Sequence, residues 1–446
     1  MSAVLFLWRC DIETDDFEVS NGTADFSAFV AMGDSYSAGF MDGALGYEGQ
    51  VMSLPALLAR QFEAVGGGVF VQPLTTVGKS VGTTVINTNG DLNGYYELKV
   101  VDGSFKPVPT TGDKSILLTM IGQQGPFNNL AVPGLRSFHL LTPLVGDPSQ
   151  GAGNYNPFYT RFASEPGVST VLSDAMLVNP SFFSLWIGGN DVLSFALAGG
   201  ETDSITSVSN FAVYMNMIVG QLAAAGRKGV IANIPDIIAL PYFNVIPYNI
   251  LLLDQAGADV LNEAYSDYND VAASVGYESI SFSAGQNALI VEDPEMVLVP
   301  EPYRFRQMTA TEKLLLSLPT EKLATEGWGS QVPVPAEYVL ASEEIEAIRA
   351  AVTGYNALIK DLSVTYDLAL VDLFSLMNDI NAEIIIDGGS YSTDFVTGGI
   401  ISLDGIHATP RGYAVIANAF IDAINDQYNA NVAKININDY RTVKFP

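Results

Sequence analysis

Short apolar runs recur along this chain at intervals long enough to hold a helix and a loop. The runs are residues 26–32, 181–187, 229–234 and 368–372, and each gives way to glycine, proline or aspartate. Such runs are typical of strands that are buried on both faces of a parallel sheet. Because segments with helical periodicity lie between them, the sequence predicts an α/β protein: a three-layer fold with a doubly wound parallel sheet.

Four helices are predicted in the intervals next to these strands, at residues 51–65, 205–226, 342–365 and 411–428. Parallel strands need crossover connections, and helices of this length supply them. In such a sheet the carboxyl ends of the strands lie at one edge, and ligands bind outside that edge. The residues that follow the strands are therefore the first candidates for a functional site.

One main domain is expected over residues 26–430, with two large insertions. The first insertion, at about 66–125, alternates Val, Thr and Tyr between turn dipeptides, which predicts short antiparallel strands. The second, at about 235–340, is apolar but interrupted by prolines. Residues 1–25 are interpreted as the remnant of a leader or a tether, and residues 431–446 as an extended C-terminal arm.

Composition limits the possible partners. Of the 446 residues, 48% are hydrophobic and 15% are charged, which argues against disorder. The net charge of −29 is opposite in sign to the basic surface that nucleic-acid binding needs. We therefore expect a folded globular protein that does not bind nucleic acid.

Two short polar segments near opposite ends of the chain complement each other chemically. Ser35 stands in a Gly-Asp-Ser turn directly after the first predicted strand, and Asp404 and His407 stand three residues apart in a turn-rich segment. A serine nucleophile needs an adjacent base, and the base needs an orienting group. The only other histidine, His139, has no acid near it in the sequence and is interpreted as structural. Taken singly, each segment is also consistent with an ordinary turn or a helix cap.

Hydrogen-bond donors for a developing oxyanion can be proposed from three places. They are the backbone N–H of Ser35, the backbone N–H of Gly134 at the end of an apolar segment, and the side-chain amide of Asn190 after the second strand. Acyl transfer requires such donors near the nucleophile. Asn190 and Asp191 are equally consistent with a helix N-cap.

The order Gly-Asp-Ser, Gly, Gly-x-Asn-Asp and Asp-x-x-His, spread between residues 29 and 412, resembles the SGNH (GDSL-type) hydrolase family. This resemblance implies a flavodoxin-like sheet and a serine hydrolase. It implies the following site: Ser35 as nucleophile, Asp404 and His407 completing the triad, and Ser35, Gly134 and Asn190 forming the oxyanion hole. Two positions depart from the family pattern, since Tyr36 replaces Leu and Ala408 replaces Pro.

The expected function is that of a serine esterase of the carboxylesterase or lipase type, which hydrolyses small-molecule or polymeric esters through an acyl-enzyme. A glycan O-acetylesterase and a non-catalytic, surface-anchored binding lipoprotein are the alternatives. No cofactor is expected, and two dissimilar histidines do not suggest a zinc site. A calcium loop around Asn87 and Asp91 is less consistent with the residue spacing than a polar hairpin turn.

Substrate-binding side chains are expected at Tyr36, beside the nucleophile, and at Tyr242 and Phe243 in the second insertion. That insertion follows a strand whose carboxyl end should face the site, so it is placed to form an apolar wall for the acyl chain. Ile246 and Leu251 are further candidates for this wall. Equally, all these side chains are suited to a small separate core.

Cys10 is the only cysteine in the chain. It follows an apolar stub at residues 3–8 and precedes an acidic segment at residues 11–16, an order that resembles the end of a bacterial lipoprotein signal. Arg9 departs from that pattern, because a small residue is expected there. We expect a lipid anchor at Cys10 and an extracytoplasmic location, either secreted or as a cell-surface or outer-membrane lipoprotein of a bacterium.

Overall fold

The computed structural model describes residues 18–101, 103–301 and 303–446. Its centre is a sheet of four parallel strands, named next in their order across the sheet. These strands are β1 (Phe29–Gly33), β6 (Phe182–Trp186), β7 (Lys228–Ala232) and β14 (Ala369–Val371). All four predicted apolar runs thus contain a strand of one parallel sheet, as the sequence indicated.

An extended segment at residues 128–132 runs parallel to the free edge of β1. Its main chain alternates bonds with β1: Ala31 donates to Asn128, and Leu130 donates back to Ala31, at 2.7 and 2.8 Å. The chain therefore lies first on one side of β1 and then crosses to β6 on the other side. This reversal is the switch point of a doubly wound sheet, the place where a crevice opens at the carboxyl ends of the strands.

Two pairs of long helices cover the two faces of the sheet. Helix α14 (Pro410–Tyr428) packs on α3 (Leu54–Glu63), and α12 (Ser342–Tyr366) packs on α8 (Val208–Leu222). Both α12 and α14 contact β7 and β14 but do not pack on each other, so they lie on opposite faces of the sheet. The three-layer architecture expected from the sequence is confirmed.

Side-chain caps mark where two of these helices, α3 and α8, begin. Ser53 accepts a hydrogen bond from the Ala56 N–H, and Ser207 accepts one from Asn210. Such caps satisfy N–H groups that have no partner in the first turn. Hence the helix predicted from residue 51 begins at Leu54, and the helix predicted from residue 205 begins at Val208.

The first insertion forms small antiparallel pairs. β3 (Ser80–Gly82) pairs with β2 (Ala44–Gly46), a strand that precedes the insertion, and β4 (Asn93–Val101) forms a hairpin with β5 (Ser104–Thr111). Between them, the Asn87 side-chain oxygen accepts the N–H groups of Asn89 and Asp91, at 3.0 and 3.1 Å. This is the bonding of a polar turn, in agreement with the hairpin interpretation of that motif.

The second insertion has hydrophobic clusters of its own. Ile246 is buried in one of them with Leu289, Leu314 and Val334, and Leu251 packs against its edge. The elements of this insertion are β8 (Leu251–Leu253), α9 (Gln255–Ala264), α10 (Ser266–Ser274), β9 (Gly285–Asn287), β10 (Ile290–Glu292), β11 (Phe305–Gln307), β12 (Lys313–Leu314), α11 (Glu321–Thr325) and β13 (Val339–Leu340).

Shorter elements complete the described chain. They are α1 (Ser35–Ala38), α2 (Tyr47–Val51), α4 (Ser115–Leu118), α5 (Pro157–Thr160), α6 (Val171–Met176), α7 (Asn190–Leu197), α13 (Leu373–Asn381), β15 (Ile384–Ile386) and β16 (Gly389–Tyr391). The C-terminal residues form no regular strand; a single 3-10 turn, Ile437–Asp439, interrupts them. Within the described ranges, no helix combines the length and the apolar character needed to cross a membrane.

Tyr428, at the end of α14, ties the last helix to two strands. Its hydroxyl donates to the Gly229 carbonyl at 2.7 Å and accepts the N–H groups of Gly229 and Ala369 at 3.2 and 3.3 Å. The side chain is 1% exposed, so water cannot replace these bonds. A single buried phenol thus joins β7, β14 and α14.

We expect Tyr428→Phe to lower the free energy of unfolding by about 1–3 kcal/mol, because buried polar groups of the two strands lose their partner. Urea denaturation measures this change. The half-exposed Tyr303 is a matched control, and Tyr303→Phe should leave the stability unchanged. If Tyr428→Phe were as stable as the parent, the Tyr428 hydroxyl would not be what joins β7, β14 and α14.

Candidate active site

Ser35 is the first residue of α1, immediately beyond the carboxyl end of β1. A side chain at Gly33 would collide with the Trp186 carbonyl, since an added Cβ would lie 2.5 Å from it. Asp34 caps the short helix by accepting the Tyr36 N–H at 3.1 Å. The close approach of β1 to β6 and this cap together fix where the Ser35 hydroxyl points.

The structure brings Ser35, His407 and Asp404 into one hydrogen-bonded chain. The Ser35 Oγ lies 2.8 Å from the His407 Nε2, and the His407 Nδ1 lies 2.9 Å from the Asp404 Oδ2. The three residues are between 7% and 9% exposed, so the chain is largely shielded from solvent. This is the relative geometry of a serine, base and orienting acid.

The carboxylate of Asp404 is held by further donors. Its Oδ1 accepts the N–H groups of Ile406 and His407 at 2.9 and 2.8 Å, and its Oδ2 also accepts the Gly43 N–H at 2.9 Å. Burial by itself raises the pKa of Asp404, but His407 and these hydrogen bonds outweigh it and hold the pKa well below its usual range. The acid therefore stays ionised while it orients the imidazole.

Asn190 and Gly134 lie together beside this chain. The Asn190 Nδ2 donates to the Leu135 carbonyl at 3.0 Å, which places its amide against the residue that follows Gly134. Gly134 has a φ of +80°, and no heavy atom lies within 4 Å of the position its Cβ would take. Gly189 precedes α7 and Asn190 is its first residue, so Asn190 is not the N-cap.

Asp191 links the two loops that carry these donors. Its carboxylate accepts the N–H and the hydroxyl of Ser137, both at 2.8 Å. Asp191 is 0% exposed, and its bonds join the loop after residue 134 to the start of α7. The neighbouring His139 accepts the Arg136 N–H at its Nδ1, and burial together with the Arg136 charge lowers the pKa of His139 to about 4. His139 is thus a structural residue of the turn that follows this loop.

A crevice opens between the ends of β1 and β6. Its walls include Tyr36 and four apolar side chains that the sequence did not single out: Trp186, Leu193, Pro235 and Ile237. The crevice is narrow: its cavity volume is about 10 Å³, roughly the room of one water molecule. Asp34 also lines it, and burial raises the pKa of Asp34 to about 7. The position of Pro235 and Ile237 directly after the third strand was the signal that could have identified them.

Two of the residues expected to contact substrate, Tyr36 and Tyr242, lie against the proposed triad. The Tyr36 ring packs 4.7 Å from Trp186 and 5.1 Å from His407, and its hydroxyl donates to the Ile406 carbonyl at 2.8 Å. Tyr242 is half-buried, and its N–H donates to the Gly405 carbonyl at 3.0 Å, in the loop between Asp404 and His407.

Phe243 has no exposed surface and is part of the main hydrophobic core. The structure does not support its predicted contact with substrate. The local pattern was ambiguous because it shows that a residue is apolar but not which apolar surface it meets. Ile246 and Leu251 similarly pack in the cluster within the second insertion.

The chain belongs to the GDSL-like lipase/acylhydrolase family, whose profile matches residues 29–420. No curated protein matches the sequence. Membership of this family supports ester hydrolysis as the activity of this chain.

Solved structures that match this chain include LAE5, an alpha/beta hydrolase enzyme from the metagenome of Lake Arreo, Spain. The identity is 13%, the match covers 90% of this chain and 96% of that one, and the TM-score is 0.35. A putative GDSL-like lipase from Parabacteroides merdae has 9% identity, 91% and 99% coverage, and a TM-score of 0.34. The lipase/acylhydrolase from Enterococcus faecalis has 10% identity, 91% and 99% coverage, and a TM-score of 0.33.

Replacing Asp404 by Asn should make stability depend on pH in a defined direction. Because the pKa of Asp404 is lowered on folding, its stabilisation is fully present above the ordinary carboxyl pKa of about 3.9 and is lost as the pH falls through the lowered value. The free energy of unfolding of Asp404→Asn should therefore lie furthest below that of the parent at neutral pH, and the gap should narrow below about pH 4.

Urea unfolding across this pH range measures the difference in the free energy of unfolding between Asp404→Asn and the parent. The control is Asp426→Asn, an exposed position on α14, which should show no such narrowing. A gap that stays constant with pH would mean that the Asp404 charge is not what stabilises the loop.

Proposed function

We propose that this protein is a serine esterase that hydrolyses carboxylic esters through an acyl-enzyme. The observation that carries the proposal is the bonded chain from the Ser35 hydroxyl through His407 to the buried carboxylate of Asp404. A serine hydroxyl is a weak nucleophile unless a base accepts its proton. The 2.8 Å contact between Ser35 Oγ and His407 Nε2 allows that transfer.

In the proposed reaction, the Ser35 Oγ attacks the ester carbonyl while the His407 Nε2 takes its proton. Asp404 accepts the Nδ1–H and stabilises the imidazolium. The imidazolium then gives its proton to the departing alcohol, which leaves an acyl group on Ser35. Water attacks this acyl group with the same imidazole as base, and the acid product and free enzyme result.

The negative charge of the tetrahedral intermediate needs donors on the side away from His407. We assign this role to the N–H groups of Ser35 and Gly134 and to the amide of Asn190. The bond from Asn190 Nδ2 to Leu135 fixes the amide while leaving its second hydrogen free of that contact. The Asn190 amide is therefore oriented before substrate binds, as effective electrostatic catalysis requires.

The apolar wall of the crevice is proposed to receive the acyl chain. Trp186, Leu193 and Ile237 are 4%, 5% and 3% exposed, so little apolar surface is left for a ligand to cover. The gain from burying a chain scales with the area removed from water. We therefore propose esters with short acyl chains as substrates, which include acetyl esters of small alcohols or of glycans.

The location and the anchor are proposed on the sequence alone. Cys10 and the segments beside it lie outside the described residues. We propose a lipid on Cys10 and an extracytoplasmic, cell-surface location. Mass spectrometry of the protein purified from its native membrane fraction tests this, and an unmodified Cys10 in a soluble fraction would contradict it.

Ser35→Ala and His407→Ala should each remove nearly all turnover of a p-nitrophenyl acetate substrate, and the double variant should be little worse, because triad members act as a unit. Steady-state kinetics on the three variants measure this. His139→Gln, which changes the only other histidine, should keep most of the activity. Parental turnover in either single triad variant would reject the proposed mechanism.

Ile237→Ala should widen the crevice and change acyl selectivity. With esters of increasing chain length, we expect the ratio of kcat/KM for butyrate to that for acetate to rise, by up to about 4-fold for each newly buried CH₂ at ~0.8 kcal/mol. The control is Phe243→Ala, which should lose about 3–5 kcal/mol of stability while the ratio stays unchanged. A change of ratio in Phe243→Ala but not in Ile237→Ala would place the acyl wall elsewhere.

A further inference from the structure

The C-terminal residues cover the loop that carries Asp404 and His407. The Tyr440 and Arg441 carbonyls accept bonds from the side chain and the N–H of Arg411, at 2.9 and 3.0 Å, which anchors this segment to the start of α14. Val443 is buried in a small cluster with Leu98 and Leu403, the residue before Asp404. The tail is thus part of the packing around the catalytic loop.

Arg441 points from this tail toward two carboxylates. Its Nε lies 2.7 Å from a carboxylate oxygen of Glu48, and its terminal nitrogen lies 3.8 Å from a carboxylate oxygen of Asp42. Asp42 is 7% exposed, whereas Glu48 is more accessible and also pairs with Lys444 at 3.1 Å. Among the ion pairs of the described residues, Asp42 is paired with Arg441 and with no other cation.

Asp42 is in turn bonded to the catalytic loop. Its Oδ1 accepts the Leu403 N–H at 3.0 Å, and its own N–H donates to the Ser402 hydroxyl at 2.9 Å. Ser402 donates to the Asp404 Oδ1 at 3.1 Å, and the Gly43 N–H donates to the Asp404 Oδ2 at 2.9 Å. Both oxygens of the catalytic carboxylate are therefore reached from Asp42 or its neighbour.

We propose that Arg441 is a positioning residue that holds Asp42, and through it the carboxylate of Asp404, in the geometry that orients His407. This inference rests on the proposed esterase function. A carboxylate that shifts by a fraction of an ångström no longer aligns the imidazole with Ser35, and small displacements of this kind can lower turnover substantially. The C-terminal segment would then belong to the active enzyme, although it contacts no substrate.

The electrostatics around Asp42 support the same role for Arg441. Burial raises the pKa of Asp42 to about 6, while the Leu403 N–H and the Arg441 charge act against this rise. Without Arg441, Asp42 takes up a proton at higher pH and accepts the Leu403 N–H less strongly. The charged and titratable groups that face Asp42 are Arg441, Glu48, Asp404 and Tyr95.

Arg441→Met in the full chain tests the inference. We expect kcat for p-nitrophenyl acetate to fall by about 10- to 100-fold with a nearly unchanged KM, and the acid limb of the rate profile to move to higher pH. Arg441→Lys should restore part of kcat, since it keeps the charge. Lys444→Met is the matched control: it removes the other partner of Glu48 without touching Asp42, and should keep parental kcat and pH profile.

Asp42→Asn provides a second, independent measurement. Asparagine tolerates the positive φ of 49° at this position, so the backbone is kept while the charge is removed. We expect kcat to fall and the further effect of Arg441→Met to vanish in this background. Additive effects in this double-mutant cycle, or a stability loss in Arg441→Met with parental kcat and pH profile, would overturn the inference.

The two proposals fail in different ways. If Ser35→Ala keeps its activity, the esterase mechanism is wrong whatever Arg441 does. If Ser35→Ala is inactive and Arg441→Met turns over like the parent, only the positioning role of the tail is wrong. Should Arg441→Met not fold, Asp42→Asn with parental kcat would overturn the positioning role by itself.

Discussion

The buried carboxylate of Asp404 is the group on which the rest of the site depends. It accepts five hydrogen bonds, from the Gly43 N–H, the Ser402 hydroxyl, the Ile406 N–H, and the N–H and ring of His407. A buried charge is tolerated only when donors of this kind replace its lost water. Because one donor follows the first strand and the others belong to the last loop, the acid can be stable only after both ends of the chain have come together.

The parallel sheet makes that meeting possible. The segment at residues 128–132 lies on one side of β1, and the next strand, β6, lies on the other. The crevice opens at the carboxyl ends of these strands. Ser35 follows β1 and Asn190 follows β6, so the fold presents both residues at one edge of the sheet. Asp191 then locks the loop of Gly134 onto the same edge through Ser137. Topology accounts for the proximity, and a few buried polar bonds account for the alignment.

Sequence reasoning succeeded where the signal is local. Apolar runs with polar ends identified the four strands, and Ser35 could be paired with His407 because the chain holds only two histidines. It failed for Phe243, because the same apolar pattern describes a side chain in the main core and one in a binding wall. The bond from Asp42 to Leu403 joins residues 361 positions apart, and nothing in the sequence around either residue indicates it. Side-chain partners across the fold are set by packing, which a single sequence does not display.

Both insertions brace the catalytic loop, although they lie far apart in the sequence. From the first, Leu98 packs against Leu403 of this loop, and the Asn93 amide donates at 2.6 Å to the carbonyl of Gly43, whose N–H binds Asp404. From the second, the Tyr242 N–H donates to Gly405 at 3.0 Å, and that glycine has a φ of +75° with Tyr242 so close that an added Cβ would lie 3.1 Å from its nitrogen. Because both insertions contact it, the loop that carries Asp404 and His407 has little freedom to reorient. We therefore expect changes in either insertion to alter the orientation of His407 as well as the shape of the crevice, so that this short segment of backbone would couple stability to the proposed turnover.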